Sequence, residues 1–486
     1  MGTNPSVIVV GAGLAGLCAG ALLKKAGFED FVILEKADRV GGTWRENSYP
    51  GCACDTPVAV YQFSFAQTLN WNFLFPRAAE VQKYTEDLTD QCGLRSHLRL
   101  GQGGASAVWD DKHSRWKVTS TTGEVHEAQT LVMALGQLNR PMLPEIAGRD
   151  SFAGPAFHSA KWNHEVKLEG KRVLVIGSAA SAIQLIPEVA QIARHVMVFQ
   201  RTANWIVPRL DRPVTEAERR ILATAPEVTS SERENRYIFS DAVFWQAFKY
   251  TEEGRAFFTE MALNHLAAQI PDEALRRKLT PDYPIGCKRV LFADDYYPAL
   301  MRPNVSLVTE GIDRITPNGV VTKDGVTHEG DVIVFATGFE TTGWHWSIDI
   351  TGRDGIKLSD QWKSAPEAYL GITVANFPNL FMTYGPNTNL GHNTITFMIE
   401  RQVEYVVRSL EAIRDRGLAS IEVTKAAQDR FNKELQAKLA KTTWADPACS
   451  SWYKTPDGRI TQNWSDHTRA YREATREVEW NDYSAR

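Results

Sequence analysis

Val7-Ile8-Val9-Val10-Gly11-Ala12-Gly13-Leu14-Ala15-Gly16 decides the fold. Four consecutive branched apolar residues read as a strand buried on both faces, the pattern of a parallel sheet covered by helices. Gly11 permits the tight turn that follows. Gly13 lets a pyrophosphate approach the backbone, and Gly16 lets helix and strand pack closely. A second apolar run, Phe31-Val32-Ile33-Leu34, ends at Glu35. An acid about 20 residues beyond the glycines completes a β-α-β dinucleotide unit. The helix N-terminus would present free N–H groups to the phosphates. Glu35 would accept hydrogen bonds from ribose hydroxyls, and a carboxylate there disfavours a 2′-phosphate. This unit is expected to hold FAD or NAD.

The design recurs between Lys171 and Arg201. Val173-Leu174-Val175-Ile176 leads into Gly177-Ser178-Ala179-Ala180-Ser181-Ala182, and a later strand, Val196 to Gln200, ends in Arg201. Ala182 is tolerated in the third glycine position. Ala179 in the second puts a methyl where phosphate should approach. Arg201 replaces the acid of the first unit, and a guanidinium can fork onto a 2′-phosphate that a carboxylate would repel. Gly177, Ser178, Ser181 and Arg201 are therefore candidate NADPH contacts. The alternative is a degenerate nucleotide fold kept for packing, with Arg201 a solvated charge.

The 486 residues exceed what one hydrophobic core organises, so two or more domains are expected. A net charge of −4 suggests neither nucleic acid nor an anionic membrane as partner, and no apolar run is long enough to span a bilayer. Six cysteines are too sparse for a disulfide scaffold, and no secretory signal is read at the N-terminus. A soluble cytoplasmic protein with reduced thiols, and no metal, is the expectation. Cys52-Ala53-Cys54 lacks the spacing of a redox pair and reads as buried thiols. Gly41-Gly42-Thr43-Trp44 suits backbone passing close to a flavin. Residues 214 to about 280 mix charge with Phe, Trp and Leu behind a Thr215/Glu218 capping box, and read as a helical insertion. Val332 to Phe335 reads as a buried strand, and Ile395 to Arg416 as an amphipathic helix ended by Gly417.

Between the two nucleotide units lies Phe152-Ala-Gly154-Pro-Ala-Phe-His158-Ser-Ala-Lys-Trp162-Asn163. It resembles the Phe-x-Gly-x-x-x-His-x-x-x-Trp fingerprint of type I Baeyer–Villiger monooxygenases. Asn163 stands where that family has Pro or Asp. The likeness extends over nearly the whole chain: Gly41 to Trp44 and Tyr49 to Asp55, then Gln200 to Trp205, Gly286-Cys287-Lys288-Arg289, Ala336-Thr337-Gly338-Phe339 and Gly385-Pro386-Asn387.

The resemblance implies FAD, NADPH and O2, a flavin 4a-peroxide, and conversion of a ketone to an ester or lactone. It implies that Arg289 stabilises anionic oxygen, that Asp55 orients Arg289, and that Lys288, Arg201 and Thr202 hold the 2′-phosphate. Gly42, Thr43, Trp44, Gly338 and Asn387 would lie along the cofactors. Phe152, Gly154, His158 and Trp162 would form a connector acting through conformation. The expected architecture is α/β, with two Rossmann-like dinucleotide-binding domains. Residues 1–145 and 331–486 form the FAD domain, and 146–330 the NADPH domain with the helical insertion at about 212–282. Two other readings stay open: a flavin monooxygenase acting on sulfur or nitrogen, and, because of Ala179, a flavin-binding protein without turnover. The natural ketone and the oligomeric state are not legible.

Overall fold

The computed structural model describes residues 4–249, 251–341 and 348–486; position 250 of the expected insertion lies outside them. Among the described residues, two five-stranded parallel sheets organise the chain. The first runs in the order Leu380–Met382, Thr130–Met133, Val7–Val10, Phe31–Glu35, Leu98–Leu100. The second runs Val305–Val308, His195–Phe199, Arg172–Ile176, Val332–Phe335, Ala156–His158.

Alternation along each central strand shows why both faces must be apolar. Val7 and Val9 pack under the helix Leu14–Lys25, which the long helix Ile395–Arg416 covers in turn. Ile8 and Val10 point the other way, onto Ala107, Trp109, Trp116 and Val118 of a small sheet built from Gly104–Asp110, Arg115–Ser120 and Val125–Ala128. The second sheet repeats this plan. Val173 and Val175 pack on the helix Ala180–Ile192, while Leu174 and Ile176 face the antiparallel strands Ile312–Thr316 and Gly319–Thr322. Helices on both faces of each sheet were expected. Instead one face carries helix and the other a small sheet, whose inward side chains supply the same apolar cover. Each fully buried Val or Ile contributes roughly 1.5–3 kcal/mol.

The expected boundary at 330/331 divides the chain one strand too early. Val332–Phe335 pairs with Arg172–Ile176 and Ala156–His158, so it belongs to the second sheet. The chain crosses back after Phe335. Asp349–Thr351 joins the small sheet beside the first, and Leu380–Met382 joins the first sheet itself. A buried apolar strand carries no label for its sheet; only pairing assigns it.

The insertion leaves after Ile206–Val207 and returns at Leu291–Phe292, which pairs with it in parallel. Between them lie the helices Glu216–Thr224, Pro226–Ala242, Glu252–Gln269 and Glu273–Leu279. Thr215 and Glu218 form the expected capping box. Gly417 closes the helix Ile395–Arg416 at φ 64°. The expectation of reduced thiols fails at one pair: Cys287 and Cys449 form a disulfide across a sequence separation of 162. Cys18, Cys52, Cys54 and Cys92 are free.

Candidate active site

Both nucleotide turns use one steric device. At Gly11 (φ +107°) a Cβ would stand 2.4 Å from the carbonyl oxygen of Ala134, just past the neighbouring strand. At Gly177 (φ +119°) it would stand 2.3 Å from that of Ala336, just past the neighbouring strand of the second sheet. The chain turns under a carbonyl that leaves no room for a side chain. Gly16 packs so closely that a Cβ would lie 1.8 Å from Gly11 O. Gly13 and Gly42 face each other, and a Cβ on Gly42 would come 3.0 Å from the Gly13 Cα. This is a cradle that side chains would fill.

The helices Leu14–Lys25 and Ala180–Ile192 begin without a side-chain cap and without acid in the first turn. Their leading N–H groups are thus available to two sets of phosphates. Ala179 occupies the N-cap of the second at φ −91°, ψ −158°, a conformation any residue adopts. Its methyl is the only departure, and the backbone is unstrained.

Glu35 is 4% exposed and is held at the first turn. It accepts from Ala12 N at 2.8 Å, from Ala37 N at 3.0 Å and from Arg45 Nη1 at 3.1 Å. Arg45 therefore shares the carboxylate expected to meet ribose, a partner that sequence reasoning passed over although it directly follows Trp44. Thr43 opens the short helix Thr43–Glu46 with Gly42 as its N-cap. The Trp44 indole N–H donates to Tyr61 Oη at 3.0 Å, and its ring packs against both large cores.

In the second unit the Ser178 hydroxyl donates to the Thr202 carbonyl at 3.3 Å, and Asn204 Nδ2 donates to Ser178 O at 2.9 Å. The Ser178 side chain thus braces the turn against the Gln200–Asn204 loop. Ser181 lies in the first turn of the helix. Lys288, its ammonium 4.4 Å from the Tyr283 ring centroid, is lowered in pKa first by burial and then by Arg201. Two cations are held near each other, and no carboxylate comes within ion-pair distance of Arg201 among the described residues. This is the charge pattern of a phosphate site.

Arg289 donates from Nε to Asp55 Oδ2 at 2.8 Å, and its Nη2 lies 2.7 Å from the same oxygen. The carboxylate drives the guanidinium pKa up. The Arg289 side chain keeps 39% exposure, within electrostatic reach of Tyr384 and Tyr453. The loop bearing Asp55 is docked on the second nucleotide fold. Gln184 donates to Ala53 O at 2.9 Å and accepts from Tyr49 Oη at 2.9 Å, while a Cβ on Gly51 would meet Gln184 O at 2.3 Å. Arg209 Nη2 donates to Cys54 O at 2.8 Å. The pair thus stands where the two folds meet. Gln184 and Arg209 carry no sequence motif; only their contacts reveal them. Burial pushes the Cys52 thiol up to about 11 and Cys54 higher still, so both are inert as nucleophiles.

The fingerprint builds the edge strand of the second sheet. Gly154 lies so close to Asp331 that a Cβ would stand 2.5 Å from its carbonyl, and Phe152 packs on the core behind that sheet. His158 pairs with Phe335 in the ladder and is 4% exposed. Its Nδ1 accepts from Ala160 N at 3.1 Å, and burial lowers its pKa. Trp162 packs edge-on to Phe157 at 5.2 Å. Gly338 (φ 85°) accepts from Met142 N at 2.9 Å, so the two chain crossings between sheets run side by side there.

Asn387 is anchored to the C-terminal segment. Its amide donates to Ile460 O at 2.9 Å and Asn463 O at 3.1 Å. Both side-chain N–H groups hold the C-terminal segment. Among the described residues no group of His, Cys, Asp and Glu could hold a metal, and no helix is long and apolar enough to cross a membrane.

Residues 8–223 match the pyridine nucleotide-disulphide oxidoreductase sequence family. A Baeyer–Villiger monooxygenase of Pseudomonas aeruginosa is 40% identical over 98% of this chain and 90% of its own length. The structure of OTEMO in complex with FAD and NADP aligns at TM-score 0.89 and 28% identity, covering 100% of both chains. Cyclohexanone monooxygenase from Rhodococcus sp. Phi1 bound to NADP+ aligns at TM-score 0.89 and 30% identity, again over 100% of both. Two uncapped helices, a glycine cradle, a phosphate-ready cation pair and this similarity agree: the chain belongs to the Baeyer–Villiger monooxygenases, NADPH-dependent flavoproteins that carry FAD.

Proposed function

We propose that the protein inserts one atom of O2 beside the carbonyl of a ketone, giving an ester or lactone, while the other atom leaves as water at the expense of NADPH. The observation that carries this reading is the Arg289–Asp55 pair at the meeting point of the two nucleotide folds. FAD, when bound, takes the electrons from NADPH and is where O2 reacts. The Gly13/Gly42 cradle and Glu35 fit its pyrophosphate and ribose. Arg289 presents a fixed cation to oxygen that carries negative charge, and Asp55 holds it in one orientation, so no reorganisation is needed during reaction. Lys288, Arg201 and Thr202 hold the 2′-phosphate. His158 acts through conformation at the domain crossing, since its Nδ1 already serves a backbone N–H. We assign residues up to about 145 and beyond 335 to the FAD domain and the stretch between to the NADPH domain.

The test is Arg289→Ala. It should retain FAD and still be bleached by NADPH, yet form no ester from any member of a ketone panel. Full ester formation by that variant defeats the assignment. A wild-type product screen that returns only sulfoxide from a thioether, and no ester, would favour the sulfur- and nitrogen-oxygenating reading.

A further inference from the structure

Three distant parts of the chain converge on Gly286-Cys287-Lys288-Arg289. Asp55, from the N-terminal portion, holds Arg289. The helical insertion presses on Gly286 (φ +87°), where a Cβ would stand 2.4 Å from the Ala247 carbonyl oxygen. The C-terminal portion is bonded covalently: Cys449 joins Cys287 with their Cα atoms 5.3 Å apart, and the two are 2% and 0% exposed.

The partner segment needs such a tie. Between Thr443–Ala445 and Thr468–Ala474 no helix or strand occurs among the described residues. Irregular chain of this length has little intrinsic order. Its far end is fixed by Asn387, which donates to Ile460 and Asn463, and by Asn389, whose amide donates to Asn463 Oδ1 at 2.6 Å. Its near end is fixed at Cys449. The stretch between brings Tyr453, 1% exposed, edge-on to Trp444 and tilted against Trp452, within electrostatic reach of Arg289 and Asp55.

We propose that the Cys287–Cys449 bond is a positioning device for the oxygenation centre. It clamps the Asp446–Tyr453 stretch onto the segment that carries Arg289, keeping the guanidinium on Asp55. A cross-link removes the freedom of the loop it closes. The reading rests on the role proposed for Arg289.

The experiment uses full-length holoenzyme purified without reductant. Alkylation under denaturing conditions followed by peptide mass spectrometry should find Cys287 and Cys449 linked and the other cysteines alkylated. Cys449→Ser, and wild type reduced with a phosphine, are then compared with the oxidised enzyme. FAD content and stopped-flow bleaching by NADPH should stay within about twofold. Hydrogen peroxide released during NADPH oxidation without ketone should rise about tenfold, the scale expected of a slightly misplaced group. Deuterium uptake by holoenzyme peptides covering 284–289 and 446–454 should increase together, while Thr130–Met133 stays protected. If Cys449→Ser fails to fold, the reduced wild type decides by the same readouts. Six alkylated thiols in the native protein overturn the proposal, as does loss of the bond without change in peroxide release or in uptake at 284–289. Absence of ester from wild type would strike the proposed function instead, because none of these readouts uses a ketone.

Discussion

Arg289 and Asp55 are 234 residues apart in sequence and 2.8 Å apart in space. Two guanidinium nitrogens converge on one carboxylate oxygen, so a lysine there would keep the charge and lose the fork. Arg289→Lys is expected to lower the rate of ester formation about 10²–10³-fold while NADPH still bleaches the flavin, as measured by product analysis beside stopped flow. Lys288 offers a pH test. Burial, then Arg201, depresses its pKa, and only the ammonium form attracts phosphate. The KM for NADPH should therefore rise as pH increases through that lowered pKa, while the KM for NADH stays flat. Arg201→Ala removes one depressing cause and should move the inflection to higher pH. Of these residues the sequence made Arg201 legible by itself, through its place at a strand end. Arg289 and Asp55 became legible only through resemblance, since nothing local links them.

The glycine turns are properties of elements. Gly177 cannot bear a side chain under the Ala336 carbonyl, whereas Ala179 sits in ordinary extended backbone at a helix N-cap. Ala179→Gly should accordingly lower the KM for NADPH by no more than about threefold, since the backbone there already stands in an extended conformation that both residues adopt without strain. A larger gain in a steady-state titration would show that the methyl obstructs the phosphate. The insertion is held by a different kind of contact. Arg233, on Pro226–Ala242, pairs with Glu400, on Ile395–Arg416, at 3.1 Å, with side chains 6% and 3% exposed. Glu400 also accepts from Ser64 N at 2.9 Å. Glu400→Gln leaves a buried guanidinium without its counter-charge and should cost about 3–5 kcal/mol in urea unfolding. The capping box and the helical character of this region were visible from spacing; the buried pair was not, because its partners belong to different elements.

At the scale of the molecule, two nucleotide folds meet through a loop and a helix. Gln184 gives and accepts hydrogen bonds with the Tyr49–Ala53 loop, and Trp44 packs on both cores. This contact joins the two nucleotide folds, and hydride transfer between the cofactors proposed for them is sensitive to their placement. Gln184→Leu should retain FAD and lose about tenfold in the rate of flavin bleaching by NADPH, read by stopped flow. An unchanged rate would show that the contact holds the loop without setting domain geometry.

The sequence by itself determined both β-α-β units, their glycine turns, the Glu35/Arg201 contrast and the insertion, since each is written in the local order of residues along a continuous stretch of chain. Only the tertiary structure decided that Val332–Phe335 enters the second sheet, that Asn387 spends its amide on the C-terminal segment, and that Cys287 finds Cys449. Those outcomes depend on which surfaces lie within a few ångströms once the chain is compact, and a one-dimensional pattern of apolar and polar residues does not encode such distances.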